Sequence, residues 1–243
     1  RVEQERASGR VGSKAARVLA RSAELLERAG GRGRELAGVA VGQMGDKAVA
    51  FLEARYSATQ EAKTRSRLLA AFGELGPKAR SSLPLLSDAL TSQDSDLLQA
   101  ALLAVARMGD AARVTIPKIL PVLQDEKARP ESRYAACPAL SLLGIGDPRL
   151  VEPLIATSRS PDRELARLSL LALGELSLVA VLPRLLEALE DPDPQVRWRA
   201  AFAIGRLGRD AAQAIPPLVK SLADPDPVVK YQVERALRQI RGK

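Results

Sequence analysis

The chain has 243 residues, of which 46 % are hydrophobic but only 3 % aromatic, so its core must be built from aliphatic and alanine side chains. It contains no histidine, which excludes Ser-His-Asp and Cys-His nucleophile pairs and removes the commonest general base. The net charge of +8 raises nucleic acid as one class of partner.

An alanine recurs along the chain at spacings of 31 to 35 residues. A bulky apolar residue follows each alanine directly, a second stands four positions after it, and a small residue then closes the group in all but the last case. Self-similarity at this period indicates an array of stacked supersecondary repeats. The recurring alanines are Ala40, Ala71, Ala104, Ala139, Ala172, Ala203 and Ala236.

This register predicts a polar tail followed by one elongated domain of seven repeats. The tail is residues 1–12, and the repeats lie at about 13–45, 46–76, 77–109, 110–144, 145–177, 178–208 and 209–241. The first repeat keeps the signature of the others around Ala40 but has a glycine-rich turn at Gly30, Gly31 and Gly33, so it is predicted to be a degenerate cap.

Each repeat is predicted to be a helix, a tight turn and a second helix. In the last repeat, Pro216 and Pro217 open one apolar pattern, residues 224–227 (Asp-Pro-Asp-Pro) interrupt it, and a second pattern runs from Val228 to Ile240. Spacings of three and four residues place one apolar stripe on each helix. Proline is tolerated in a first helical turn, and aspartate caps free backbone N–H groups at a helix start.

The most apolar stretch, residues 168–182, is about 15 residues long, whereas a membrane-spanning helix needs roughly 20. It also fits the repeat pattern, so no membrane span is predicted. Because the chain begins at Arg1 rather than Met, the sequence leaves the compartment open, with a cytoplasmic location slightly favoured and a removed leader as the alternative.

Residues 196–208, preceded by Asp191 and Pro192, resemble the HEAT repeat, particularly its short bacterial form, which is also known from phycobilisome-lyase-type proteins. The resemblance extends over about 230 residues and is strongest in the last three repeats. It implies an all-α, right-handed α-α superhelix, a HEAT-like solenoid of about seven helix pairs whose second helices line a concave surface. It also implies a scaffold that binds other proteins, the most frequent role of such arrays. Pro138 departs from the pattern and predicts a kink in the second helix of repeat four.

One outward column of the predicted second helices collects the only tryptophan and two of the three tyrosines. Trp, Tyr and Arg are the side chains that most often anchor protein interfaces. We therefore predict a recognition stripe for a protein partner, the alternative being that these side chains fill gaps between adjacent repeats. Its members are Tyr134, Arg167, Trp198 and Tyr231 in the column, with Phe202 and Arg206 on the same helical face as Trp198.

The distribution of charge makes nucleic-acid binding the second hypothesis. Residues 1–36 carry a net charge of +4 and residues 209–243 a net charge of +3, whereas residues 77–208 sum to zero. A groove that follows a phosphate backbone needs basic residues along the whole array. The later repeats do offer a local group of arginines with glutamates among them: Arg163, Arg167, Arg197, Arg199 and Arg206, with Glu164, Glu175 and Glu187.

No catalytic residue, cofactor or metal site is predicted. Two enzymatic branches resemble this fold: HEAT-like DNA glycosylases need an aspartate where the predicted concave columns offer Glu74 and Glu175, and deoxyhypusine hydroxylases need histidine. Cys137 shares its column with apolar residues and is predicted to be a buried, inert thiol. The sequence thus favours a non-catalytic scaffold or adaptor, and a subunit of a larger assembly or a lyase-like chaperone for a cofactor is the third hypothesis.

Overall fold

The computed structural model describes residues 46–242, so the polar tail and the first repeat lie outside the described residues. Between residues 46 and 242 all regular structure is helical, with α-helices joined by turns and short 3-10 segments. The helices of the earlier repeats are α1 Asp46–Ala58, α2 Ala62–Leu75, α3 Leu83–Ala89, α4 Ser95–Arg107, α5 Ile116–Gln124 and α6 Pro130–Leu143. Those of the later repeats are α7 Val151–Thr157, α8 Arg163–Glu175, α9 Leu182–Ala188, α10 Pro194–Arg206, α11 Ile215–Lys220 and α12 Pro227–Arg241.

The described residues form two compact bodies, which divide inside α5 between Lys118 and Ile119. In the N-terminal body α1 packs on α2, α3 packs on α4, and the second helices α2 and α4 pack on each other. In the C-terminal body the second helices α6, α8, α10 and α12 each pack on the next, and α7, α9 and α11 pack on their own partners. Each body is therefore a stack of helix pairs joined through their second helices.

The predicted start signals are confirmed at both helices of the repeats. Proline stands in the first turn of the first helices, as at Pro84, Pro183 and Pro216. Aspartate side chains accept hydrogen bonds from backbone N–H groups at the start of four of the six described second helices, which satisfies donors that have no partner within the helix. These N-cap residues are Asp94 for α4, Asp162 for α8, Asp193 for α10 and Asp226 for α12.

The recurring alanines are buried because they lie where successive second helices approach most closely. All those between residues 71 and 236 are at most 2 % exposed. Two positions after the alanine, three repeats carry a glycine that faces the alanine of the next repeat: Gly73 faces Ala104, Gly174 faces Ala203 and Gly205 faces Ala236. A Cβ atom on Gly174 would lie 2.6 Å from the Cβ of Ala203, so the spacing between these helices requires the missing side chain.

The small residue that closes a repeat adopts a left-handed backbone, which glycine reaches without steric penalty. Gly76, Gly109 and Gly208 have φ values of 56°, 59° and 58°. In repeat four the closing residue Gly144 has a φ of −99°, and the left-handed conformation falls two residues later, at Gly146 with φ at 74°.

Ser177 is the one non-glycine residue of positive φ in the described part of the chain, with φ at 55°. We expect Ser177→Gly to stabilise the C-terminal body by about 1 kcal/mol, because a side chain in the left-handed region contacts its own backbone. The urea midpoint of unfolding measures the change. Ser141→Gly, inside α6 and in ordinary helical geometry, should lower the midpoint instead. A fall in the midpoint of Ser177→Gly as well would contradict the strain at Ser177.

Helix α6 runs from Pro130 to Leu143 and continues through Pro138, which is exposed. Proline has no N–H to donate to the carbonyl of Tyr134, and this single lost bond does not end the helix. The kink at Pro138 stays a prediction.

Candidate protein-binding face

Helices α10 and α12 carry an aromatic–arginine patch on the exposed side of the second helices. It consists of Trp198, Arg199 and Phe202 on α10 and of Tyr231 and Arg235 on α12. The guanidinium carbon of Arg199 lies 4.2 Å from the centroid of the Trp198 ring, and that of Arg235 lies 5.6 Å from the Phe202 ring. Both are cation–π contacts. Tyr231 is 57 % exposed, whereas the Trp198 and Phe202 side chains are partly exposed.

Gln195 holds the tryptophan and the arginine of this patch in place. Its side-chain oxygen accepts a hydrogen bond from Trp198 Nε1 at 3.0 Å and another from Arg199 Nη1 at 2.9 Å. Arg199 Nη1 also donates to the Gln195 backbone carbonyl at 3.0 Å, while Arg199 Nε is buried without a hydrogen-bond partner. Burial lowers the pKa of Arg199 below its ordinary value. The indole is thus held between a hydrogen bond to Gln195 and the guanidinium of Arg199.

Two residues of the predicted stripe, Tyr134 and Arg167, bind the N-cap aspartate of the following second helix. The Tyr134 hydroxyl donates to Asp162 Oδ2 at 2.8 Å, and Arg167 Nη2 donates to Asp193 Oδ2 at 2.6 Å. These bonds raise the pKa of both Tyr134 and Arg167. The structure therefore places both side chains across junctions between repeats, which is the gap-filling alternative of the sequence analysis.

Arg206 also spans a junction between repeats. Its Nη2 donates to Glu175 Oε2 at 2.8 Å, and both side chains remain partly exposed. The same register positions in the N-terminal body carry Glu74 and Arg107, which form an ion pair too. Of the six predicted residues, Trp198, Phe202 and Tyr231 therefore lie together in the patch, whereas Tyr134, Arg167 and Arg206 link helices.

A largely buried ion pair joins Arg197 of α10 to Asp224 before α12. Arg197 Nε donates to Asp224 Oδ2 at 2.7 Å and Nη2 donates to Oδ1 at 2.9 Å, with the two side chains only 13 % and 8 % exposed. The hydrogen bond from Arg197 lowers the pKa of Asp224. Arg163 pairs in a similar way with Asp191 at 3.3 Å.

The sequence predicts that the aspartates of these turns form the turn and cap the second helix, and it does not predict the Arg197–Asp224 pair. The repeated Asp-Pro-Asp-Pro turn could have indicated such a pair, because it contains two aspartates whereas a helix cap requires only one. In each turn the second aspartate, Asp193 or Asp226, caps the helix that follows. The first aspartate, Asp191 or Asp224, forms an ion pair with an arginine of the preceding repeat.

The predicted burial of Cys137 is confirmed. The side chain is 1 % exposed, its sulfur lies 3.7 Å from Ser169 Oγ, and burial raises the pKa of the thiol to about 11. A neutral thiol is a poor nucleophile. Among residues 46–242, no three side chains of the His, Cys, Asp or Glu type come together as a metal-ligand group. Over the same residues, no helix combines the length and apolarity that a membrane crossing requires.

Comparison with known proteins shows the fold class. A family model for HEAT repeats matches residues 182–243. No curated protein matches the chain. An archaeal HEAT-like repeats protein from Thermococcus onnurineus NA1 has a similar structure, with a TM-score of 0.61 and 13 % identity over 92 % of this chain and 97 % of that one.

Two further solved structures are similar. The CpcE–CpcF complex of phycocyanin lyase from Nostoc sp. PCC7120 gives a TM-score of 0.51 and 20 % identity over 64 % of this chain and 98 % of that chain. The karyopherin Kap121p, bound to the extreme C-terminus of the protein phosphatase Cdc14p, gives 0.67 and 15 % over 93 % of this chain and 29 % of that chain. The resemblance to HEAT repeats and the predicted all-α, HEAT-like solenoid class are confirmed, and identities this low establish the fold alone.

Proposed function

We propose that this chain, a HEAT-repeat protein, is a non-catalytic scaffold that binds a protein partner on the exposed side of its second helices. The observation that carries the proposal is the aromatic–arginine patch on α10 and α12. Trp198, Phe202 and Tyr231 combine a large apolar area with partial exposure, and Gln195 and Arg199 hold the indole in place. Pre-organised aromatic side chains bind with little loss of conformational entropy.

The six residues of the predicted stripe have two different roles in this proposal. Trp198, Phe202 and Tyr231 contact the partner directly. Tyr134, Arg167 and Arg206 fix the spacing and orientation of the helices that present the patch, because each bonds to a carboxylate on a neighbouring repeat.

The ion pairs of the second helices favour a protein partner over nucleic acid. Of the five arginines that form the predicted basic group, four already bond to aspartate or glutamate, and Arg199 stacks on Trp198. Binding of phosphate groups would have to replace these carboxylates. The similar karyopherin is bound to a segment of another protein, which is the class of partner proposed here.

We expect Trp198→Ala to weaken binding of the partner by roughly tenfold, because the indole is the largest anchor of the patch. The partner is isolated with the wild-type chain from the native organism and identified by mass spectrometry. Its affinity for purified wild-type and variant chains is then measured by calorimetry. Circular dichroism should show unchanged helix content, since Trp198 is only partly buried.

The matched control is Val179→Ala, which truncates an apolar side chain that is 40 % exposed on a 3-10 turn away from the patch. This variant should bind as the wild type does. Equal affinity of Trp198→Ala and wild type, or a large loss of stability in Trp198→Ala, would identify Trp198 as a packing residue. High affinity for a labelled DNA duplex that falls steeply with salt would favour the nucleic-acid hypothesis instead.

A further inference from the structure

The N-terminal body contains an open groove between its second helices, α2 and α4. The groove has a volume of about 450 Å³. Leu103, which is 56 % exposed, lies in it, and Asp96 and Gln99 line it from the first turns of α4. Its remaining walls are small residues and one ion pair: Ala70, Gly73, Ala100, Ala104, and Glu74 with Arg107.

The same register positions occur in the C-terminal body at the junction of α8 and α10. The framework is identical in both places: Gly73 and Ala104 correspond to Gly174 and Ala203, and the Glu74–Arg107 pair corresponds to Glu175–Arg206. The side chains that lie over this framework are smaller in the α2–α4 groove than at the α8–α10 junction. Leu171, Trp198, Arg199 and Phe202 of the α8–α10 junction correspond to Ala70, Gln99, Ala100 and Leu103.

In the N-terminal groove, the residue equivalent to the hydrogen-bond acceptor Gln195 is a carboxylate, and the residues equivalent to its two donors are Gln99 and Ala100. In α10, Gln195 accepts hydrogen bonds from Trp198 and from Arg199. The equivalent residue of α4 is Asp96, a carboxylate in place of an amide. The one cation among the lining residues, Arg107, is paired with Glu74, so the lining carries an excess of one negative charge.

From this correspondence we propose that the α2–α4 groove binds a Trp-Arg pair, or a similar aromatic–arginine pair, in a peptide segment of a protein partner. The guanidinium bonds to Asp96, as Arg199 bonds to Gln195 in α10. The aromatic ring stacks on this guanidinium, as Trp198 stacks on Arg199, and covers Leu103 and Ala100. A carboxylate binds a guanidinium more strongly than an amide does. Asp96, which stands in the position of Gln195, is therefore suited to bind a guanidinium that belongs to another protein. The proposal rests on the proposed function in one respect: it takes the second-helix side to be protein-binding.

The test uses a fluorescein-labelled peptide with a central Trp-Arg pair in a Gly-Ser background, and a twin peptide in which citrulline replaces arginine. Binding to the full chain is measured by fluorescence anisotropy. We expect the arginine peptide to bind about threefold to fivefold more tightly than the citrulline peptide, the range for an exposed charge pair. Asp96→Asn should remove that difference.

Two variants fill the groove from within the chain. Ala100→Arg introduces the residue of α10, and Ala70→Leu introduces the residue of α8, so each should reduce peptide affinity at least about tenfold. Circular dichroism checks their fold, and having one filling variant on each helix keeps the test valid if one of them unfolds. Trp198→Ala, which tests the proposed function, should leave affinity for this peptide unchanged.

The proposal would be overturned if the arginine peptide did not bind at about 1 mM protein, where even weak specific contacts register. Equal affinity for the citrulline peptide, or full affinity in both filling variants, would overturn it too. None of these would bear on the patch of α10 and α12. Loss of peptide binding in Trp198→Ala alone would place the site at the patch and also overturn the proposal.

Discussion

Gly174→Ala is expected to destabilise the C-terminal body by about 2 kcal/mol, because the added methyl group overpacks the junction of α8 and α10. The new Cβ would lie 2.6 Å from the Cβ and 2.7 Å from the Cα of Ala203, and the second of these atoms belongs to the backbone. A rigid neighbour cannot move aside, so the two helices must separate. Helix propensity alone predicts the opposite sign, since alanine is favoured over glycine by about 1 kcal/mol in a helix interior.

Urea unfolding followed by Trp198 fluorescence measures the effect, because the only tryptophan lies on α10, next to the altered junction. The matched control is Gly73→Ala, at the same register position in the N-terminal body, where the Cβ would lie 3.0 Å from Ala104 Cα. Its loss of stability, followed by circular dichroism, should be smaller. A Gly174→Ala variant as stable as the wild type would show that the helices can separate at little cost.

Asp224→Asn is expected to lower the free energy of unfolding by about 2 kcal/mol near pH 7, the range for hydrogen bonds to a charged group. The substitution keeps the shape of the side chain but removes the negative charge that faces Arg197 on two of its nitrogens. Because both side chains are largely buried, water cannot replace the lost carboxylate fully.

The effect of Asp224→Asn should depend on pH in a definite direction. The folded-state pKa of Asp224 is lowered by Arg197, while the unfolded value is about 3.9. The stability that the carboxylate contributes is therefore fully present above the unfolded pKa and is lost as the pH falls through the folded pKa. The difference between wild type and variant should stay constant from pH 7 to about 5 and shrink below about pH 4.

Glu190→Gln is the control for this experiment. Glu190 pairs with Lys220 at 3.0 Å, but the two side chains are 63 % and 74 % exposed, so solvent screens the pair. Its loss should change stability by less than about 0.5 kcal/mol at any pH. A similar loss in both variants would indicate a general effect of net charge rather than the buried pair.

For the described residues, the sequence alone determined the repeat, the helix–turn–helix form of the units, the capping aspartates and the burial of the recurring alanines and Cys137. These features follow from local physics: an apolar stripe recurs every three or four residues, and a cap acts on N–H groups two or three residues away. The family resemblance and the fold class followed from the same pattern.

Only the tertiary structure decided which outward residues are engaged. Tyr134, Arg167 and Trp198 occupy one column, yet the first two bond to an aspartate of the next repeat and Trp198 bonds to Gln195 of its own helix. The partners of Tyr134 and Arg167 lie 26 to 28 residues further along the chain, so their contacts depend on how closely two second helices approach. For α8 and α10 that distance is set where Gly174 meets Ala203. The groove beside α4 opens because the side chains over an equivalent framework are smaller. A periodic pattern marks such positions as equivalent, whereas side-chain size and the spacing of neighbouring helices make them differ.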